Sequence, residues 1–164
     1  MDSKPEGVNM PFANLTWRVT ASGLEDELLI ADALSWLCGE PESIELERTK
    51  SYHGSKVHMI TSKIGRRGAI RKAISNLGPN LLNTLLMQLE SRLHEDNALY
   101  FRLDLDNLVR GKIILSEPGG KATVKARLKF KAFPGQDTRQ VVKDSLQSLL
   151  ERAQTPVLPD NEEE

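Results

Sequence analysis

The 164-residue chain has one cysteine, Cys38, so no internal disulfide can form. Beside Trp36, Leu37 and Gly39, that thiol reads as a small buried apolar group rather than a nucleophile. A chain without disulfides fits a reducing, intracellular setting. No apolar run approaches the ~20 residues of a membrane span. Residues 1–10 are polar and include Asp2 and Glu6, so they do not read as a signal peptide. The expectation is a cytoplasmic protein with no membrane partner. Aromatic residues make up only 5%, which excludes a platform stacking many flat rings.

The strong catalytic signatures are missing too. No glycine-rich loop precedes a Lys-Ser or Lys-Thr pair, and Gly65-Arg66-Arg67-Gly68 is too short and too basic for a dinucleotide fingerprint. There is no cysteine pair for zinc, and His53, His58 and His94 lack paired metal spacing. Asp104 and Asp106 would hold a divalent ion only with a further carboxylate, and their leucine flanks fit a strand end running into a turn. The sequence therefore predicts no catalytic residue, no metal and no cofactor. A metal-dependent nuclease using Asp104 and Asp106 ranks last among the readings.

What the chain has is separated charge. The net charge of -1 hides two opposed halves. Residues 1–49 carry ten carboxylates against Lys4, Arg18 and Arg48. Residues 50–89 carry Lys50, Lys56, Lys63, Arg66, Arg67, Arg71 and Lys72 and no acid at all. Such separation predicts one acidic and one basic surface, and a basic surface suits an anionic polymer. Ordinary surface ion pairing between the halves is the competing reading, worth about 0–1 kcal/mol per pair.

Residues 121–133 sharpen the pattern. Val124, Ala126, Leu128 and Phe130 alternate with Lys125, Arg127, Lys129 and Lys131. On a strand this buries one face and lines the other with cations about 6.6 Å apart, a phosphate-like spacing. The same lysines would also serve to discourage edge-to-edge aggregation.

With 39% hydrophobic residues, the chain is long enough for one domain with a proper core. Residues 1–12 are expected to be a disordered lead, 13–153 a single α+β domain, and 154–164 an acidic disordered tail. Alternation predicts a strand over 14–20, a hairpin over 43–64, and strands at 98–104, 111–115 and 121–133, the last two joined by Pro118-Gly119-Gly120. Helical spacing predicts helices after a Ser22 cap to Leu37, at 69–77, at 80–93 and at 136–152. The predicted architecture is two-layered: a mixed, mostly antiparallel sheet with helices packed on one face.

Two further segments look fit for contact. His53 sits in Tyr52-His53-Gly54 at the hairpin tip, between Lys50 and Lys56, where rings stack on unpaired bases and lysines hold phosphates. Arg66 and Arg67 open a helix that continues with Arg71 and Lys72, a suitable phosphate site. The predicted RNA contacts are thus Lys50, His53, Lys56, Arg66, Arg67, Arg71, Lys72, Lys125, Arg127, Lys129 and Lys131, acting on backbone and shape rather than on base sequence.

Tyr52-His53-Gly54 ahead of a strand resembles the His-Gly motif of an archaeal family of small RNA-binding proteins predicted to be exosome subunits. Leu93-His94-Glu95-Asp96 leading into Leu99-Tyr100-Phe101-Arg102-Leu103-Asp104 resembles that family's Leu-Tyr-Leu-Arg-Leu-Asp segment. Lys131-Ala132-Phe133-Pro134 matches in style and position, and the likeness spans residues 14–150. Ser55-Lys56 stands where the family commonly has Asn-Pro. The resemblance implies a fold like the ribosomal protein that holds 5S rRNA. It also implies RNA binding, a link to RNA processing or degradation with exosome proteins as partners, and no catalytic residues. The alternative is a protein-interaction subunit, such as one half of a homodimer, docking through Trp36 or the polar face of strand 98–104.

Overall fold

The computed structural model describes residues 11–22, 26–50, 54–116, 122–131 and 133–154. Five strands and six helices follow in the order β1 (Phe12–Ser22), α1 (Glu27–Cys38), a single 3-10 turn (Pro41–Ser43), β2 (Ile44–Lys50), β3 (Lys56–Ile64), α2 (Arg67–Ser75), α3 (Pro79–Met87), α4 (Leu89–Arg92), β4 (Ala98–Asp104), α5 (Leu105–Val109), β5 (Thr123–Phe130) and α6 (Thr138–Gln154) among the described residues. The strands form one sheet in the order β2-β3-β1-β5-β4. Every pairing is antiparallel, so the sheet is not mixed.

Side-chain alternation sorts the sheet into two faces. Leu15, Trp17 and Val19 of β1, Ile60 and Ile64 of β3, Leu99, Phe101 and Leu103 of β4 and Val124, Ala126, Leu128 and Phe130 of β5 are all buried and point to one side. Ile70 and Ile74 of α2, Leu82 and Leu85 of α3, and Val142, Leu146 and Leu149 of α6 join the same core. Trp17 meets Phe101 edge-on, with ring centroids 5.9 Å apart. The helices thus lie on one face, as the sequence predicts. The polar alternates of β1, β3, β4 and β5 stand on the other, with no helix over them among the described residues.

Several local expectations need correction. Ser22 belongs to β1, and the N-cap of α1 is Asp26, whose carboxylate accepts the Leu28 and Leu29 N–H groups at 3.1 Å. Phe12 is no part of a disordered lead: it starts β1 and packs on Phe130 with centroids 5.5 Å apart. The helix expected over 80–93 breaks at Gln88, where φ -106 and ψ 20 turn the chain toward β4 while Leu89 stays buried.

The largest difference concerns residues 111–115, expected as a strand joined in a hairpin to 121–133. They make a single bridge, Leu115 with Leu103, on the outer edge of β4. Asp104 N–H donates to the Ile114 carbonyl and Ser116 N–H to that of Arg102. The basic strand instead fills the slot between β1 and β4, where its apolar face is covered on both flanks. The Pro118-Gly119-Gly120 turn lies outside the described residues.

Candidate nucleic-acid interface

Strand register decides which cations become neighbours. Arg18 of β1 stands directly opposite Lys125 of β5, and Lys125 directly opposite Arg102 of β4. Adjacent strands are about 4.8 Å apart, so three cations lie side by side across roughly 10 Å of the open face. All three are exposed. The next row runs Lys63, Thr16, Arg127, Tyr100, and the one after it Asn14, Lys129, Ala98. Among the described residues no carboxylate pairs with Arg18, Lys63, Arg102 or Lys125; the ion pairs present involve other cations. Glu45 and Glu47 mark the acidic far side of this face on edge strand β2, where Glu45 lies opposite Thr61.

A tight turn closes the other end of the basic rows. His94 N–H donates to the Ala98 carbonyl, and Asn97 N–H to that of His94, with Asn97 at φ 62. The turn brings Asp96 over the sheet. Tyr100 O–H donates to Asp96 Oδ2 at 2.6 Å, Arg127 Nε donates to the Tyr100 oxygen at 3.0 Å, and an Arg127 terminal nitrogen reaches Asp96 Oδ2 at 3.2 Å. Lys129 Nζ donates to the Asp96 carbonyl. The His94 ring lies 4.4 Å from the Tyr100 ring at 31°. The Tyr100 hydroxyl, with help from Arg127 and the Ala98 N–H, holds the Asp96 carboxyl below the usual carboxylate range. The same hydroxyl, followed by Asp96, raises Arg127 further. Arg127 and Lys129 are therefore fixed in place, while Arg18, Lys63, Arg102 and Lys125 have no carboxylate partner among the described residues.

The structure distributes the sequence-derived contacts over three places. Lys125, Arg127 and Lys129 share the open face, and exposed Lys131 follows just beyond β5, its N–H donating to the Pro11 carbonyl. Lys50 and Lys56 face each other as a cross-strand pair in line with Arg48 and His58, on the side of the sheet that carries the helices. His53 lies outside the described residues. Arg66 is bound to Glu40 at 2.8 Å, and Arg67, Arg71 and Lys72 ride on α2, whose buried side packs against β1 from the helical layer. The hairpin and α2 cations thus do not join the strand cations on one face.

Arg18, Lys63 and Arg102 are the cations of this face that linear reading does not single out. Alternation already turns Arg18 and Arg102 away from the core; only the β1-β5-β4 order makes them flank Lys125. Asp104 is occupied as the cap of α5, accepting from Asn107 N at 2.9 Å and Asn107 Nδ2 at 2.6 Å. No group of three His, Cys, Asp or Glu suited to a metal occurs among the described residues, and no helix among them is long and apolar enough to cross a membrane.

Solved archaeal proteins share this architecture. The DUF54 protein Mth689 of Methanothermobacter thermautotrophicus superposes with a TM-score of 0.69 at 22% identity, covering 85% of this chain and 98% of its own. Protein AF2318 of Archaeglobus fulgidus gives 0.65 at 18% identity over 82% of this chain and 98% of its own. Protein SSO0741 of Sulfolobus solfataricus gives 0.65 at 16% over 85% and 98%. At these identities the likeness is one of fold. No curated protein matches the sequence. A family model described as RNA binding matches residues 14–130, which takes in all but the first two residues of the sheet, and the chain belongs to that family.

Proposed function

We propose that this chain is a non-catalytic RNA-binding protein that holds the RNA backbone against the open face of its sheet. The observation that carries the proposal is the Arg18–Lys125–Arg102 row. Like charges placed directly opposite destabilise a sheet. Three such groups side by side, with no carboxylate among the described residues to relieve them, are suited to an external polyanion. Bound phosphates would neutralise the row and release counterions, which drives association and makes it steeply salt-dependent. Lys63, Arg127 and Lys129 extend the track on either side. The few rings on this face favour backbone recognition over base reading. RNA processing or degradation alongside exosome proteins, which the family resemblance implies, in the cytoplasmic setting that the composition suggests, is the role we infer.

The test is fluorescence anisotropy with a structured RNA across a salt series. The parent should bind in low salt and weaken steeply. An Arg18→Ala/Lys125→Ala/Arg102→Ala variant should lose most of that affinity, whereas Lys72→Ala on the helical side should change it little. Equal binding by the triple variant would defeat the proposal.

One observation favours a second reading, a protein-docking subunit. Leu28, Leu29 and Trp36 are 71%, 48% and 55% exposed on α1, a concentration of apolar surface away from the basic face. Sedimentation velocity without RNA distinguishes the readings: a stable dimer that Trp36→Ala dissolves would support docking through α1.

A further inference from the structure

The β2–β3 hairpin carries a second group of cations that the open-face reading leaves unused. Register places Arg48 opposite His58 and Lys50 opposite Lys56 on the helical side of the sheet, beyond the start of α1. With Thr49 these four side chains line a shallow cleft of about 370 Å³. Glu27, in the first turn of α1, holds one of them and lies beside another: Arg48 donates to its Oε1, and His58 Nδ1 lies 2.5 Å from its Oε2. The His58 side chain is only 12% exposed. Lys50 and Lys56 form a like-charged, exposed cross-strand pair with no carboxylate partner among the described residues. Neighbouring like charges of this kind oppose folding unless something anionic lies between them.

We propose that this cleft is a separate anion site for a phosphate monoester. Charge selects the class. Three permanent cations against one carboxylate leave two positive charges, matching a monoester phosphate of about -1.5 to -2 at neutral pH better than the single charge of an internal phosphodiester. Geometry agrees: Lys50 and Lys56 approach as mobile point charges from two strands, while Arg48 offers a planar fork held in place by Glu27. The site lies on the opposite side of the sheet from the Arg18–Lys125–Arg102 row, so it would not continue a backbone track along that row. The phosphate has two sources, the phosphorylated end of an RNA or a free small phosphate. The RNA-end source rests on the RNA-binding reading; the phosphate chemistry itself does not.

The experiment is an NMR titration of the full chain with inorganic phosphate, with sodium chloride of matched ionic strength as control. Anisotropy of one RNA oligonucleotide bearing a terminal phosphate or a terminal hydroxyl accompanies it. Saturable shifts of the His58 ring and its neighbours, absent with chloride and lost in Lys50→Gln/Lys56→Gln, would establish the site. A several-fold preference for the phosphorylated oligonucleotide, abolished by the same double variant but kept in the Arg18→Ala/Lys125→Ala/Arg102→Ala variant as its overall affinity falls, would identify an RNA end. Saturable phosphate binding without that preference would identify a free phosphate. Shifts no larger than those of chloride, or shifts unchanged in the double variant, would overturn the proposal. Both lysines are exposed, so the double variant should fold.

Discussion

Arg18 and Lys125 stand directly opposite each other across the β1–β5 ladder, with Arg102 on the far side of Lys125. Neither fold nor core requires this juxtaposition, since threonine would fit every one of these exposed strand positions. Replacing Lys125 with Thr should therefore stabilise the free protein by about 0.2–1 kcal/mol. Because water and salt screen the exposed charges, the gain should sit at the lower end and shrink as salt rises. The same change should weaken RNA binding. Urea denaturation at low and high salt, beside anisotropy, measures both effects. A variant both less stable and equally tight would contradict the role assigned to the row.

Binding through phosphate neutralisation fixes a slope. Each phosphate contact on a single strand contributes about 0.7, and on a duplex about 0.9, to the fall of log Kobs with log salt. Removing Arg18, Lys125 and Arg102 together should flatten that slope by about 2 to 3. A loss of affinity with the slope unchanged would instead mean that these residues act through shape.

Much of the architecture can be read from local pattern. The alternation of 121–133, the β2–β3 hairpin, strand 98–104 and the one-sided core all follow from which side chains are apolar. Pairing order does not. Nothing in the spacing of Lys125 reveals that β1, more than a hundred residues earlier, lies beside it, because long-range strand order is set by the whole core rather than by any local signal. That gap explains both site differences. Local spacing does not mark Arg18 and Arg102 as partners of Lys125, and Lys50 and Lys56, similar in charge, fall on the other side of the sheet. The 111–115 segment failed for a related reason: its short apolar run fits a strand, but the inner slot beside β4 belongs to β5.

The Asp96–Tyr100–Arg127 cluster makes a pH prediction. With its pKa lowered chiefly by the Tyr100 hydroxyl, Asp96 contributes stability that is present above its unfolded pKa of about 3.9 and is lost as pH falls through the lower folded value. Tyr100→Phe removes the first of these causes, so the Asp96 carboxyl should titrate at a higher pH than in the parent, and acid unfolding should begin at a higher pH. Carboxyl-detected NMR titration reads the first, and circular dichroism the second. At neutral pH Asp96 is ionised in both proteins, so RNA binding there should change only as far as Arg127 loses its orientation.

Trp17 tests the core beneath the basic face. It is fully buried against Phe101, yet its Nε1–H has no acceptor among the described residues. Two effects then oppose each other on substitution. Trp17→Ala deletes the whole ring and should cost about 3–5 kcal/mol. Trp17→Phe leaves a smaller void but also removes an unpaired buried donor, whose desolvation costs about 1–3 kcal/mol. The phenylalanine variant should therefore lose far less stability than its lost volume alone implies, about 1 kcal/mol or less. Urea midpoints separate the two substitutions. Fluorescence supplies an independent check: the signal left in either variant comes from exposed Trp36 and should be red-shifted relative to the parent. A Trp17→Phe protein as unstable as Trp17→Ala would mean that the indole nitrogen is satisfied after all, and that the sheet beneath the cation row depends on that bond.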